Sequence, residues 1–104
     1  MRTEVRNRLT MLSKPVALRR ASYEPGNVGW IVIYPIPAPR GGYNVRSFQI
    51  PAALLQSPEK IWDGTMVDLT DTYCDTIEAA ESRIVQLGED PMNLDAPWNV
   101  DCPV

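Results

Sequence analysis

Histidine is absent from this chain of 104 residues, which removes the side chain that most often serves as general base or metal ligand near neutral pH. Cysteine is nearly absent too. Cys74 and Cys102 lie far apart with no partner residues at zinc-binding spacing, so neither a zinc site nor a disulfide framework is expected. The simplest reading is reduced thiols in a cytoplasmic protein; the alternative is one disulfide tying the C-terminal segment to the body. Asp71 and Asp75 flank Cys74 and would raise a thiol pKa, so Cys74 reads as a small core residue and not as a nucleophile.

Long apolar runs are missing as well. The longest, Trp30-Ile31-Val32-Ile33-Tyr34, falls well short of the roughly 20 residues that span a bilayer, so no membrane partner is expected. The first residues are basic, but no continuous apolar stretch or small-residue cleavage site follows, and a signal peptide is not expected. No carboxylate stands isolated in an apolar stretch, where burial would raise its pKa for acid work. Arg40-Gly41-Gly42 has the glycines of a phosphate-binding loop but not its Lys-Ser/Thr, and reads as a hairpin loop. No catalytic residue, cofactor or metal is therefore assigned, and an enzyme of unrecognised type is the third-ranked reading.

What the chain does have is charge divided by position. Residues 1–50 hold eight Lys/Arg against two Asp/Glu, for +6; residues 51–104 hold two against eleven, for −9. Such asymmetry bears on partners more than on fold. Apolar residues make up 44% of the chain and charged residues 22%, the balance of one ordinary folded domain. Ten prolines promise many loops, because proline cannot donate to a sheet ladder or continue a helix.

The patterning predicts an α+β domain over residues 1–88: an antiparallel sheet of three to four strands packed on one main C-terminal helix, followed by an extended acidic tail over residues 89–104, part of which should lie along the domain surface through Met92, Leu94 and Trp98. Strands are expected over 16–23, 28–34 and 43–50, with Glu24-Pro25-Gly26-Asn27 as the first turn. Strand 28–34 is apolar on both alternating faces, as a central strand covered on each side would be. Val5, Leu9 and Leu12 suit a short N-terminal helix with Arg2, Arg6 and Arg8 on its wet side. Ser57-Pro58-Glu59 reads as a local helix start with Ser57 as cap.

After Gly64 two readings compete. In one, residues 65–73 are a fourth strand with Val67, Leu69 and Tyr73 on one side, and Asp75 and Glu78 form a capping box that opens a helix ending at Gly88. In the other, Leu69, Tyr73, Ile77, Ala80, Ile84 and Leu87 form one continuous helical stripe. The poor helix formers Thr70, Thr72, Tyr73 and Cys74 favour the first. Ile77, Ala80, Ile84 and Leu87 should then meet either Ile31 and Ile33 or Trp30, Val32 and Phe48.

Two binding surfaces are candidates. Asp68, Asp71, Asp75 and Glu78 would line one face in the long-helix reading, a row of negative charge able to dock on another protein, and self-association is also expected to be open to such a chain. This is the preferred functional reading: a small non-enzymatic binding protein whose acidic helix and tail carry the interaction. The alternative is nucleic-acid binding through Arg19, Arg20, Arg40, Arg46 and Tyr43, since a sheet offering arginines among aromatics can enter a groove or stack bases.

Tyr73-Cys74-Asp75-Thr76-Ile77-Glu78-Ala79-Ala80-Glu81 resembles the junction, an aromatic and a Thr before a Glu-Ala-rich helix, at which the three-stranded DNA-binding arm modules of tyrosine recombinases end their sheet. The resemblance covers residues 28–88, with 51–64 as an insertion and an acidic helix as a departure. It implies DNA binding and suits a mobile-element or phage protein. A third arrangement would cancel both surfaces, with the basic sheet edge and the acidic helix or tail lying together.

Overall fold

The apolar run around Trp30 forms the middle of the molecule in the computed structural model, which describes residues 1–20 and 25–103. It lies in β2 (Asn27–Pro35), where Trp30, Ile31, Val32 and Ile33 are all buried. A strand buried through consecutive residues must be covered on both faces, since successive side chains point to opposite sides. β1 (Val16–Arg20) and β3 (Tyr43–Pro51) flank it, and β4 (Val67–Cys74) follows β3, giving an antiparallel sheet in the order β1-β2-β3-β4. Register is set by pairs such as Leu18 with Ile31, Trp30 with Phe48 and Val45 with Thr72. The predicted continuation of β1 to Tyr23 and the Glu24 end of its turn lie outside the described residues; Gly26, at φ +86°, supplies the left-handed conformation expected of it.

One sheet face carries Val16, Leu18, Ile31, Ile33 and Val45. Two helices cover it: α1 (Thr3–Thr10) through Val5 and Leu9, and α2 (Ile77–Gln86) through Ile77, Ala80 and Ile84. Leu12, grouped by spacing with Val5 and Leu9, is exposed because α1 ends before it. The other face carries Ala17, Trp30, Val32, Phe48 and Ile50 and has no α-helix over it. It is roofed by Leu54, Leu55, Ile61 and Met66, from a segment of 3-10 turns (Ala52–Gln56, Pro58–Lys60, Asp63–Thr65), and by Val100 and Cys102. Prolines punctuate these coverings because they tolerate short turns that lack a continued hydrogen-bond ladder. Pro58 opens its turn as expected, but Ser57 makes no capping hydrogen bond.

Of the two readings after Gly64, the strand holds over β4 and the helix is the shorter one. Its cap differs by one residue: the Thr76 hydroxyl, and not Asp75, accepts from the Ala79 N–H at 3.1 Å. Thr76 has the extended backbone an N-cap needs, at φ −130°. The helix closes on Gly88 at φ +86°, with the Glu89 N–H bonded to the Ile84 carbonyl.

The predicted grouping of Val67, Leu69 and Tyr73 on one side is broken by a β-bulge. Ser47 pairs with Thr70 and Gln49 with Val67, so Asp68 and Leu69 together oppose Phe48. Asp68 adopts φ +52°, a conformation Asp tolerates better than most residues. Gln49, itself buried, donates to its carboxylate at 3.0 Å.

Residues 89–103 form a C-terminal tail that lies along the body, as expected for part of it, with Leu94 buried but Met92 and Trp98 exposed. Leu94 is fully buried among the helices, and the Trp30 indole N–H donates to the Val100 carbonyl at 2.8 Å. Ala17 and Asp95 exchange two backbone hydrogen bonds, each 2.8 Å, so this segment adds a bridge to the outer edge of β1.

Candidate protein-interaction surface

Folding brings the two charge sets into contact. Arg2 meets Asp95 at 2.9 Å, Arg6 meets Glu78 at 3.3 Å, Arg20 meets Glu89 at 3.9 Å, and Arg46 meets Asp63 at 3.0 Å and Asp71 at 2.8 Å. Among the described residues, every ion pair except Arg2–Glu4 joins the N-terminal half of the sequence to the C-terminal half. Four of the eight basic side chains of the N-terminal half thus meet carboxylates of the C-terminal half within the fold.

The basic candidates are dispersed by this arrangement. Arg20 lies against the helix-covered face, its side chain 8% exposed, donating to the Ser47 hydroxyl and the Leu87 carbonyl, each at 2.9 Å. Arg46 lies on the opposite face between two carboxylates and is strongly held in its charged form by Asp71. Arg19 is exposed on β1, and exposed Arg40 stacks on the Tyr73 ring at 4.3 Å, beyond the far side of the sheet. Tyr43 packs against the first core cluster and Trp30 is buried in the second. Because both sheet faces are covered, the arginines and aromatics do not form the open platform that groove entry or base stacking requires.

The acidic candidates are placed differently from a helical row. Asp68 and Asp71 stand on β4, Asp75 in the turn after it, and Glu78 in the first turn of α2, so the single face expected of a long helix does not exist. Glu78 faces Arg6; its own backbone N–H and then that guanidinium lower its pKa. Asp71 accepts from Arg46 and from the Asn44 amide, and the Arg46 hydrogen bond is the main reason its pKa is lowered. Asp68 and Asp75 are exposed and make no ion pair among the described residues. Along β4, then, Asp63, Asp68, Asp71 and Asp75 outnumber Arg46 and Arg40.

β4 is also where the sheet stops. Among the described residues its far side has no strand neighbour, whereas the far side of β1 is bridged by Asp95. Trp62, 66% exposed, precedes Asp63, and Tyr73, 44% exposed, stands two residues beyond Asp71. Gly42 lets the preceding loop lie against Tyr73: a Cβ there would come within 2.6 Å of the Tyr73 hydroxyl and 2.9 Å of the Cys74 carbonyl. The open edge and its aromatic flank could not be read from the sequence, because which strand ends a sheet depends on where the C-terminal segment docks.

Chemistry elsewhere is sparse. A cleft of about 340 Å³ is lined by Ser13, Pro35, Ile36, Pro37 and Ala38, offering a single side-chain hydroxyl. Among the described residues no group of three or more Cys, Asp or Glu is placed to hold a metal ion, and no helix is long and apolar enough to cross a membrane. Cys74 belongs to one core cluster and Cys102 packs against the other, so the sheet separates the two cysteines and the disulfide alternative fails on geometry. No protein-family model, curated protein or solved structure matches the chain.

Proposed function

We propose that this protein is a small non-enzymatic binding module that engages a basic protein partner through the acidic surface along β4. The observation that carries this reading is the uneven use of charge in the fold. Most N-terminal arginines are engaged by carboxylates of the same chain, while Asp68 and Asp75 remain exposed without a cation. Surface charge left uncompensated steers association and selects partners of opposite sign more than it supports the fold. The two cysteines, held on opposite faces of the sheet, fit a reducing, cytoplasmic setting.

Nucleic-acid binding has less support, since Arg20 and Arg46 would have to leave carboxylates to meet phosphates. The test is titration of the full chain with a short Lys-rich peptide, a DNA duplex and a single strand at low and moderate salt. The peptide should bind, more weakly as salt rises. The double variant Asp68→Asn/Asp75→Lys should lose most of that binding while keeping its circular dichroism; Asn is chosen at 68 because it tolerates the left-handed backbone. Binding of a nucleic acid but not of the peptide would replace this reading with the other.

A further inference from the structure

The two edges of the sheet are treated differently by the chain itself. On β1, Ala17 already exchanges a pair of backbone hydrogen bonds with Asp95, so an outside strand would have to displace the C-terminal segment, which Leu94 and Val100 anchor in the two cores. On β4, pairing reaches β3 alone, and alternate residues of an antiparallel edge strand turn their N–H and C=O groups outward. Residues 70–74 beyond the bulge pair with β3 without interruption, contain no proline, and are accessible up to buried Cys74.

An open edge of this kind is a template for strand addition, and natural sheets protect such edges with charge and bulges. Here the protection has a sign. Asp68, Asp71 and Asp75 lie on the edge strand and in the turn after it; Asp71 already faces Arg46 and Asp68 accepts from Gln49, so the charge left over along the edge is negative, unfavourable to a second copy and favourable to a strand carrying Lys or Arg at alternate positions. Exposed Trp62 and Tyr73 add aromatic faces of the kind that hold cations, and Arg40 stacked on Tyr73 shows that geometry within the chain.

We infer that β4 is a docking edge at which an extended basic segment of another protein adds as a fifth strand, its backbone held by the edge and its cations by the flanking carboxylates and aromatic rings. This rests on the acidic-surface reading above and gives it a binding mode.

The experiment uses the full chain and a blocked peptide alternating Lys and Val, about ten residues long so as to cover a strand of β4's length. Its fully N-methylated analogue keeps the charge and side chains but has no N–H to donate. Affinity is read by calorimetry, and protection of β4 amides by hydrogen exchange. The parent peptide should protect alternate amides of residues 70–74, and the analogue should bind at least about tenfold more weakly.

Equal affinity for the two peptides without new protection would overturn strand addition and leave the charge reading standing. No binding of either peptide at low salt would overturn both. Concentration-dependent protection of β4 in the protein alone, with a dimer in sedimentation, would assign the edge to a second copy and overturn the basic-partner inference.

Discussion

Arg20 shows how little a residue's type says about its task. In sequence it stands beside Arg19 as one of two consecutive cations, equally suited to a phosphate. In the fold alternation along β1 sends Arg19 outward and Arg20 toward α2, where its guanidinium donates to the Ser47 hydroxyl and to the Leu87 carbonyl just past the helix end. That carbonyl is one of the acceptors a helix leaves unpaired at its C-terminus, and a cation there also favours the helix dipole. Arg20→Ala should therefore lower unfolding stability by about 2–4 kcal/mol, the scale of losing hydrogen bonds to a buried charged group. Arg19→Ala should change it by less than about 0.5 kcal/mol, as at ordinary surface positions. Urea denaturation of the two variants checks both; comparable small losses would mean that Arg20 does not tie β1 to β3 and α2.

At the scale of elements, α2 tests how finely a boundary can be read. Ile77, Ala80 and Ile84 announced the helix by spacing, and Gly88 its end, but Asp75 and Thr76 were both chemically competent caps. The chain resolves this because β4 continues through Cys74 in register with Tyr43, which leaves Thr76 as the residue extended enough to turn its side chain over the first helical amides. Thr76→Ala should cost about 0.5–2 kcal/mol, and Asp75→Ala distinctly less. Thermal or urea unfolding of the pair measures the difference, and the reverse order would restore Asp75 as the cap. The β4 bulge could not be foreseen in the same way. Leu69 and Tyr73 fit either a helical stripe or a strand, and only the need of Leu69 to join the second core while Gln49 reaches Asp68 shows why an extra residue sits there.

At the scale of the whole molecule, the ion pairs between the two halves of the sequence give stability a definite pH dependence. Asp71, Asp95 and Glu78 all have lowered pKa values: Asp71 chiefly through Arg46, Asp95 through Asn99 and then Arg2, Glu78 through its own backbone N–H and then Arg6. A carboxylate with a depressed folded pKa contributes stability that is complete above its unfolded value, about 3.9–4.3, and is lost as pH falls through the folded value. Urea midpoints should accordingly hold between about pH 7 and pH 5 and then fall steadily on acidification. Arg46→Met should remove the part due to Asp71, seen as a return of its NMR titration midpoint toward the ordinary carboxylate range. The pairs are largely exposed, so each is a modest contribution that salt should screen further.

The sequence by itself determined the α+β class, the central strand covered on both faces and the helix over Ile77–Gln86, and was compatible with the N-terminal helix, because periodicity and turn residues act over a few positions. Only the tertiary structure decided that +6 and −9 would meet, that the C-terminal segment would roof Trp30 and bridge β1, and that β4 would be the edge left open. Each of these depends on contacts between residues far apart in the chain, and no local pattern of charge or hydrophobicity specifies which distant partner a side chain will reach.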